Sequence, residues 1–315
     1  MSSTATGDLV PVVLRELDLA PGTHPHDNLW LHATSGLVCI GSNAYVVADD
    51  EHHLGHFRLD TATPVDLLRL FKGKLPRDRG KRKKAKPDLE CLVRLPALEL
   101  FPHGALLALG SGSRATRNRG TLLGLDSAGA VLGLPLELDL SAFYTPLQQQ
   151  FAGLNIEGAF LTATELHLLQ RGNKGSANAR ISFDWKAFAT WLMDDAAAPP
   201  HPASVQMIDL GMVDGVPLTP TDATRLADDH WLFCAVAENT GDNYADGACL
   251  ASLIGTADAH GRILQTWHLH GNHKVEGIAL EPGCDPAGTQ LRVLLVTDAD
   301  DPQRPSQLLR CTIQL

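Results

Sequence analysis

Short apolar runs punctuated by Gly, Asp and Asn fill this chain, and sustained helical periodicity is rare. The runs recur in one layout: a small or acidic residue, an apolar strand, a turn, a second apolar strand, then a polar cluster. Five segments share it. They start at Ser35 (SGLVCIGSNAYVVADD), Glu90 (ECLVRLP, then GALLALGSGSR), Glu157 (EGAFLTATELHLLQRGN), Asp222 (DATRLADDHWLFCAVAEN) and Glu276 (EGIALEPG, then LRVLLVTDADD). Successive starts lie 55, 67, 65 and 54 residues apart, and each interval holds about four strand-like runs, the number in a propeller blade. After Glu276 only three runs remain, and the missing fourth is available near the N-terminus as LVPVVLREL. Pairing it with the last blade closes the ring and hides an edge. The pattern therefore predicts an all-β chain, a single β-propeller domain over residues 1–315 with five four-stranded blades. Six blades are the alternative, because the two longest intervals have room for a further partial blade. FDWKAFATWLMDD reads either as a short helix or as an irregular outer strand.

In a propeller the first strand of each blade lines the channel and the strands alternate in direction. The start of strand one and the end of strand two then meet at one end of the ring. This gathers Glu90, Glu157, Asp222 and Glu276 at one channel mouth. Asp49, Asp50, Arg114, Arg171, Asn173, Glu238, Asp298, Asp300 and Asp301 join them from the ends of the second strands. Carboxylates so crowded repel one another unless neutralised. One expectation is a divalent cation, Ca²⁺ by its preference for oxygen, held by Glu90, Glu157, Asp222, Glu276 and Asp298. Another is neutralisation by Arg114, Arg171 and Lys274, and a third is that each acid caps backbone N–H groups of its own blade. A metal-assisted hydrolase for a small anionic ester or phosphoester follows from the first. Glu276, Glu157 and Lys274 are its expected catalytic groups, with Glu276 preferred as general base because Lys274 lies two residues away on the same strand face. Arg114, Arg171, Asn173, Glu238 and Asp50 are the expected ligand contacts. The alternatives are a non-catalytic propeller that binds a small anionic ligand, sugar or protein partner, and a lactonase-like metal propeller.

Composition narrows the partners. A formal charge of −10 argues against general nucleic-acid binding. No segment approaches the apolar length of a transmembrane helix, no secretory signal is visible, and six scattered cysteines contain no C-x-x-C pair. A reduced, cytoplasmic setting is the expectation. Against the acidic background, Lys72 to Lys86 (KGKLPRDRGKRKKAK) carries nine basic residues and one acid. The segment 72–87 reads as a flexible basic loop overhanging the mouth, either a lid for an anionic ligand or a solvated connection. Histidines at His52, His53, His56 and at His268, His270, His273 read as exposed hairpin residues rather than a zinc site. GDNYADG (241–247) reads as an Asx-turn, and GSGSRATRNRG lacks the Lys-Ser/Thr of a P-loop, although Arg114, Arg117 and Arg119 suit an anion. No G-x-S-x-G elbow is present.

The segments KPDLECL, GSGSR, NIEGAFL, LLQRGN, KVEGIAL and VTDADDP together resemble a bacterial family of uncharacterised, phytase-like propeller proteins, over nearly the whole chain. That resemblance implies the propeller fold and a relation to esterase-like activity of phytase.

Overall fold

The computed structural model describes residues 7–172, 176–238 and 249–315. Four of its sheets have four strands and one has six, and together they form a five-bladed β-propeller. The innermost strands are Thr34–Ile40, Leu89–Leu95, Ile156–Leu161, Val216–Arg225 and Val275–Leu280, one from each predicted segment. Each is followed by antiparallel strands stepping outward.

The long intervals hold helices, not a sixth blade. Helix α1 spans Arg79–Ala85 between the first two blades. Helix α2, Ser141–Gln150, connects the second and third blades, and helix α3, Trp185–Met193, lies within the third. Helix α3 begins where the Asp184 carboxylate accepts the Ala187 N–H, and it buries Phe188 and Leu192 one turn apart. Phe143 of α2 stacks on its Trp191. The aromatic spacing in FDWKAFATWLMDD is thus a helix. These two helices enlarge the apolar layer between the second and third blades.

Closure differs in detail from the expectation of one continuous strand. Val12–Glu16 does pair with Gln307–Gln314 of the last blade. Gly7–Leu9, however, runs parallel to Ile263–Leu269 of the blade before it. Pro11 stands between the two strands. It has no N–H for a ladder, so the strand breaks there and the chain crosses from one sheet to the next. The N-terminal segment therefore stitches two blades together.

The buried apolar residues form five clusters, each shared by two adjacent blades. Val47 and Leu54 meet Leu106 and Leu123, for example, and Phe160 meets Trp231 and Phe233. At the axis the inner strands approach too closely for ordinary side chains. A Cβ on Gly36 would lie 2.7 Å from the backbone N of Leu92, and one on Gly158 would lie 2.7 Å from the Cα of Asp222.

Every inner strand carries an irregularity, near its start in four blades, between Ser35 and Leu37, Leu89 and Cys91, Ile156 and Gly158, and Val275 and Gly277, and mid-strand in the fourth blade, between Pro220 and Asp222. Asp222 pairs with Cys234 as Gly158 pairs with Leu169 and Gly277 with Val296. Asp222 therefore occupies the glycine position of its blade, and Thr221 occupies the position of Glu157 and Glu276. One residue of offset on a strand reverses a side chain's direction. Asp222 is 1% exposed and does not line the mouth. Its carboxyl accepts the N–H of Ala223 at 2.8 Å and of Ile278 at 3.0 Å, together with those of Leu37 and Ala159. Four of the five inner strands end on this one group.

Burial pushes the Asp222 carboxyl well above its usual range, while its backbone donors pull it back. Asp222→Asn turns one acceptor into a donor facing buried N–H groups. Each such loss costs about 1–3 kcal/mol, so urea unfolding should show a deficit of about 3 kcal/mol. A loss within experimental error would remove Asp222 as the axial tie.

Candidate functional site at the channel mouth

A cavity of about 1090 Å³ opens at the end of the ring where the inner strands begin. Its floor carries Glu90, Glu157 and Glu276, one from each of three inner strands and all less than 9% exposed. The irregularity at the start of each strand turns these side chains out of the ladder and into the mouth. Ser35, one residue before the corresponding position of the first blade, donates its hydroxyl to Glu90 at 2.7 Å. Thr221, at the corresponding position of the fourth, instead bonds the Val275 carbonyl at 2.8 Å.

Two ionic groups surround these acids. In the first, the Lys86 ammonium sits on the Asp49 carboxylate and lies 2.8 Å from Asp88. Arg117 reaches the other Asp88 oxygen at 2.6 Å, and Ser111 donates to that oxygen at 2.5 Å. In the second, Arg171 bridges Glu157, at 3.3 Å, and Glu238. Asn155 also donates to Glu157. Lys274 lies among four carboxylates: Glu238 at 2.8 Å, Asp300 at 2.9 Å, Glu276 at 3.2 Å and Asp298 at 3.6 Å.

Most of the expected site residues thus meet here. Glu276, Glu157, Lys274, Arg171, Glu238, Asp50, Glu90 and Asp298 all line the cavity. Two do not fit as expected, and a third lies outside the described residues. Asp222 is the axial tie described above. Arg114 is exposed beside a short 3₁₀ turn, Ala115–Arg117, and that turn sends Arg117 into the mouth in its place. Asn173, like 241–247, lies outside the described residues.

The first ionic group joins Asp88 and Ser111, which the sequence reading passed over, to Asp49, Lys86 and Arg117. Lys86, Asp88 and Glu90 recur at every second residue, as Lys274 and Glu276 do, but Asp88 has a φ of +56°, so a left-handed turn rather than plain strand alternation brings the first three together. That K-x-D-x-E spacing was the available signal. The basic segment is also not a plain loop. Asp78 caps helix α1, Arg82 bonds Asp50 at 3.0 Å, and Lys86 closes the segment as described. Nor are the first histidines exposed: His52 and His53 are buried, and His53 shares Glu51 with His24, which bonds that carboxylate at 2.8 Å.

The five acids expected to hold one cation do not form a single group. Among the described residues, Asp49, Asp88 and Glu90 are the three whose carboxylate oxygens all lie within 4.8 Å of one another. The Lys86 ammonium already contacts the first two.

The inner ring has eight acids (Asp49, Asp88, Glu90, Glu157, Glu238, Glu276, Asp298, Asp300) and four cations (Lys86, Arg117, Arg171, Lys274). Protons offset the excess. Burial raises Glu276 to about 8 against the pull of Lys274 and Arg171, with Glu157 and Glu238 adding repulsion. Burial likewise raises Asp300 to about 8 and Asp49 to about 7. Glu90 is pushed well up by burial and by Glu157. Glu238 and Asp298 are also buried, but Arg171 and Lys274 hold the first below the usual range and Lys274 the second. The mouth therefore places proton-holding carboxyls beside ionised ones.

Against this geometry, residues 30–313 match the model of a family of unknown function (DUF6929). The chain belongs to that family. The description names no activity, so it is broader than the phytase-like resemblance. No curated protein matches the chain. Among solved structures, the catalytic domain of Coprinopsis cinerea GH62 α-L-arabinofuranosidase is 12% identical, with 99% of this chain and 98% of that one covered and a TM-score of 0.50. Myxococcus xanthus glutaminyl cyclase is 13% identical over 98% and 99%, with a TM-score of 0.49. XC5397 from Xanthomonas campestris, described as a gluconolactonase, is 10% identical over 99% of each chain, with a TM-score of 0.41. At these identities the likeness concerns the fold. All six cysteines are free, and no helix among the described residues is long and apolar enough to cross a membrane.

Glu276 gives a sign to the pH dependence of stability. Its folded pKa, about 8, exceeds the ordinary 4.5. Its contribution is fully present below about pH 4.5 and is lost as pH rises through 8. The melting temperature should fall between pH 6 and pH 9, and Glu276→Gln, which mimics the protonated acid, should flatten that fall. Parallel curves for the two proteins would contradict the assignment.

Proposed function

We propose that the mouth is the active site of a hydrolase for a small anionic ester, working by acid–base catalysis between Glu276 and Glu157. The observation that carries this reading is the proton-holding Glu276 facing the same cavity as the ion-paired Glu157. A carboxyl group that holds its proton can act as the acid while a second carboxyl, fixed by Arg171 and Asn155 at the same cavity, acts as the base.

The role first expected for Glu276 is reversed in this reading. A group with a pKa of about 8 keeps its proton at neutrality and serves as the acid. Glu157, fixed by Arg171 and Asn155, takes a proton from water as that water adds to the ester carbonyl. Glu276 gives its proton to the leaving alcohol oxygen as the C–O bond breaks, and transfer from Glu157 through solvent restores both groups. Positive charge comes from Lys274 and Arg171, which already contact the carboxylates that a divalent cation would need. Their fixed positions allow them to stabilise developing oxyanion charge without reorganisation.

A panel of small carboxylate-bearing esters, matched neutral esters and phosphomonoesters tests the proposal. Hydrolysis should fall by about 10²–10⁴-fold in Glu276→Gln, and by a similar factor in Glu157→Gln, with folding checked by thermal unfolding. Wild-type kcat/KM should decline as pH rises through 8. Absence of turnover on every ester, or full activity in Glu276→Gln, would sink the proposal.

A further inference from the structure

The inner strands that begin at the mouth end at the other face of the ring, and a second cleft lies there. Leu95, Leu161 and Arg225 are the last residues of the inner strands of the second, third and fourth blades, and all three line it. Its volume is about 510 Å³, within the range that holds one small molecule. It shares no lining residue with the mouth. Its walls are fixed by backbone geometry. Between Leu95 and Ala105 the chain turns through Pro96 and Pro102, and Leu98 and Phe101 exchange two backbone hydrogen bonds of 3.0 Å within that turn. In the third blade the Thr162 N–H bonds the Glu165 carbonyl at 2.9 Å, and the Thr162 hydroxyl accepts the Glu165 N–H at 3.1 Å. Trp185, the first residue of helix α3, donates its backbone N–H to the Thr164 carbonyl at 2.9 Å, and its half-buried ring sits beside Phe188. A cleft built in this way is formed before a ligand arrives, so little ordering entropy is lost on binding.

The chemistry of the cleft is two-sided. Pro96, Pro102, Leu161 and Trp185 supply apolar surface, and Arg94, His103 and Arg225 supply N–H donors. Among the described residues no carboxylate lines it, in a chain with 36 acids against 26 Lys and Arg. The acids close by in sequence are engaged elsewhere or set apart. Asp229 pairs with Arg225 at 2.9 Å, Asp184 caps helix α3, and Glu165 lies 3.8 Å from His167. Glu99, on the turn between Pro96 and Pro102, is outside the lining. Arg94 and His103 are exposed, and neither side chain has a hydrogen bond or ion pair among the described residues.

We infer that this cleft is a second ligand site, selective for a small monocarboxylate with an apolar body. The carboxylate is held by the two-pronged guanidinium of Arg94. The body lies against Trp185 and the two prolines, where the indole offers a large apolar face. Arg225 keeps its bond to Asp229 and adds positive field. A carboxylate without a body lacks the apolar contact, and a body without a carboxylate leaves Arg94 in water. Both halves of the ligand are needed. The site is separate from the mouth and does not depend on the reaction proposed there.

Calorimetric titration of the full chain with phenylacetate, hexanoate, acetate and 2-phenylethanol tests the inference. Phenylacetate or hexanoate should bind, about tenfold or more tighter than acetate and 2-phenylethanol. Arg94→Gln should weaken that binding by about tenfold, one charge-assisted contact being removed. Its melting temperature should stay at the parent value, because the side chain is exposed and unpaired. Glu276→Gln changes the mouth alone and should leave the affinity unchanged. Absence of binding by both amphiphilic acids, equal affinity for acetate or for 2-phenylethanol, or parental affinity in Arg94→Gln would overturn the inference. A loss in Glu276→Gln as large as that in Arg94→Gln would also overturn it, by placing the carboxylate at the mouth.

Discussion

Five strands that converge on one axis must satisfy their backbone groups where there is little room for side chains. In this propeller the Asp222 carboxyl meets that demand, taking N–H groups from the first, third, fourth and fifth blades. It stands where two other blades have glycine, and one of these, Gly158, lets its strand approach Asp222 directly. A buried carboxyl shared by four strands fixes their mutual height as well as their spacing. The direction of the side chains beside it then brings Ser35, Glu90, Glu157 and Glu276 to the mouth, while Thr221 turns its hydroxyl to the Val275 carbonyl. The position of the candidate site follows from this axial constraint.

Packing those acids together has its own consequence. Three glutamates gathered at one channel mouth cannot all be ionised and buried without compensation. Two ionic groups, one centred on Lys86 and one on Lys274, supply part of it, and bound protons supply the rest. Such a floor offers both hydrogen-bond donors and acceptors in fixed places, a suitable arrangement for proton transfer to and from a polar ligand. Helix α1 is tied to this floor from the rim, through Arg82 on Asp50 and Lys86 on Asp49 and Asp88.

Much of the ring was legible in the chain. Strand-length apolar runs and acid-Gly pairs located all five inner strands, and the missing fourth strand led to the N-terminal closure. Alignment on the acid rather than on the residue after it misplaced Asp222 by one, a shift that turned an axial backbone acceptor into an expected cation ligand. Thr221 is neutral, so charge pattern alone could not mark it as the partner of Glu157. Pro11 concealed a change of sheet inside what read as one apolar strand. The dense charge of 72–87 suggested a solvated loop, because a helix held by ion pairs to another blade leaves no apolar period in its own sequence. Arg117 took the place expected of Arg114 through a 3₁₀ turn, which three residues of sequence do not announce. The proton-holding state of Glu276 depends on burial and on neighbours far apart in the chain, and only the fold brings these together.

The central claim is that the mouth keeps a protonated glutamic acid at neutral pH. A ¹³C NMR titration of glutamate side-chain carboxyls in the folded protein tests it most directly, with Glu276→Gln used to assign the resonance. One carboxyl signal should titrate near pH 8 and be missing from the spectrum of the variant. If the signal lost in Glu276→Gln instead titrates near the ordinary glutamate value of about 4.3, the mouth is an array of ionised salt bridges and the account fails.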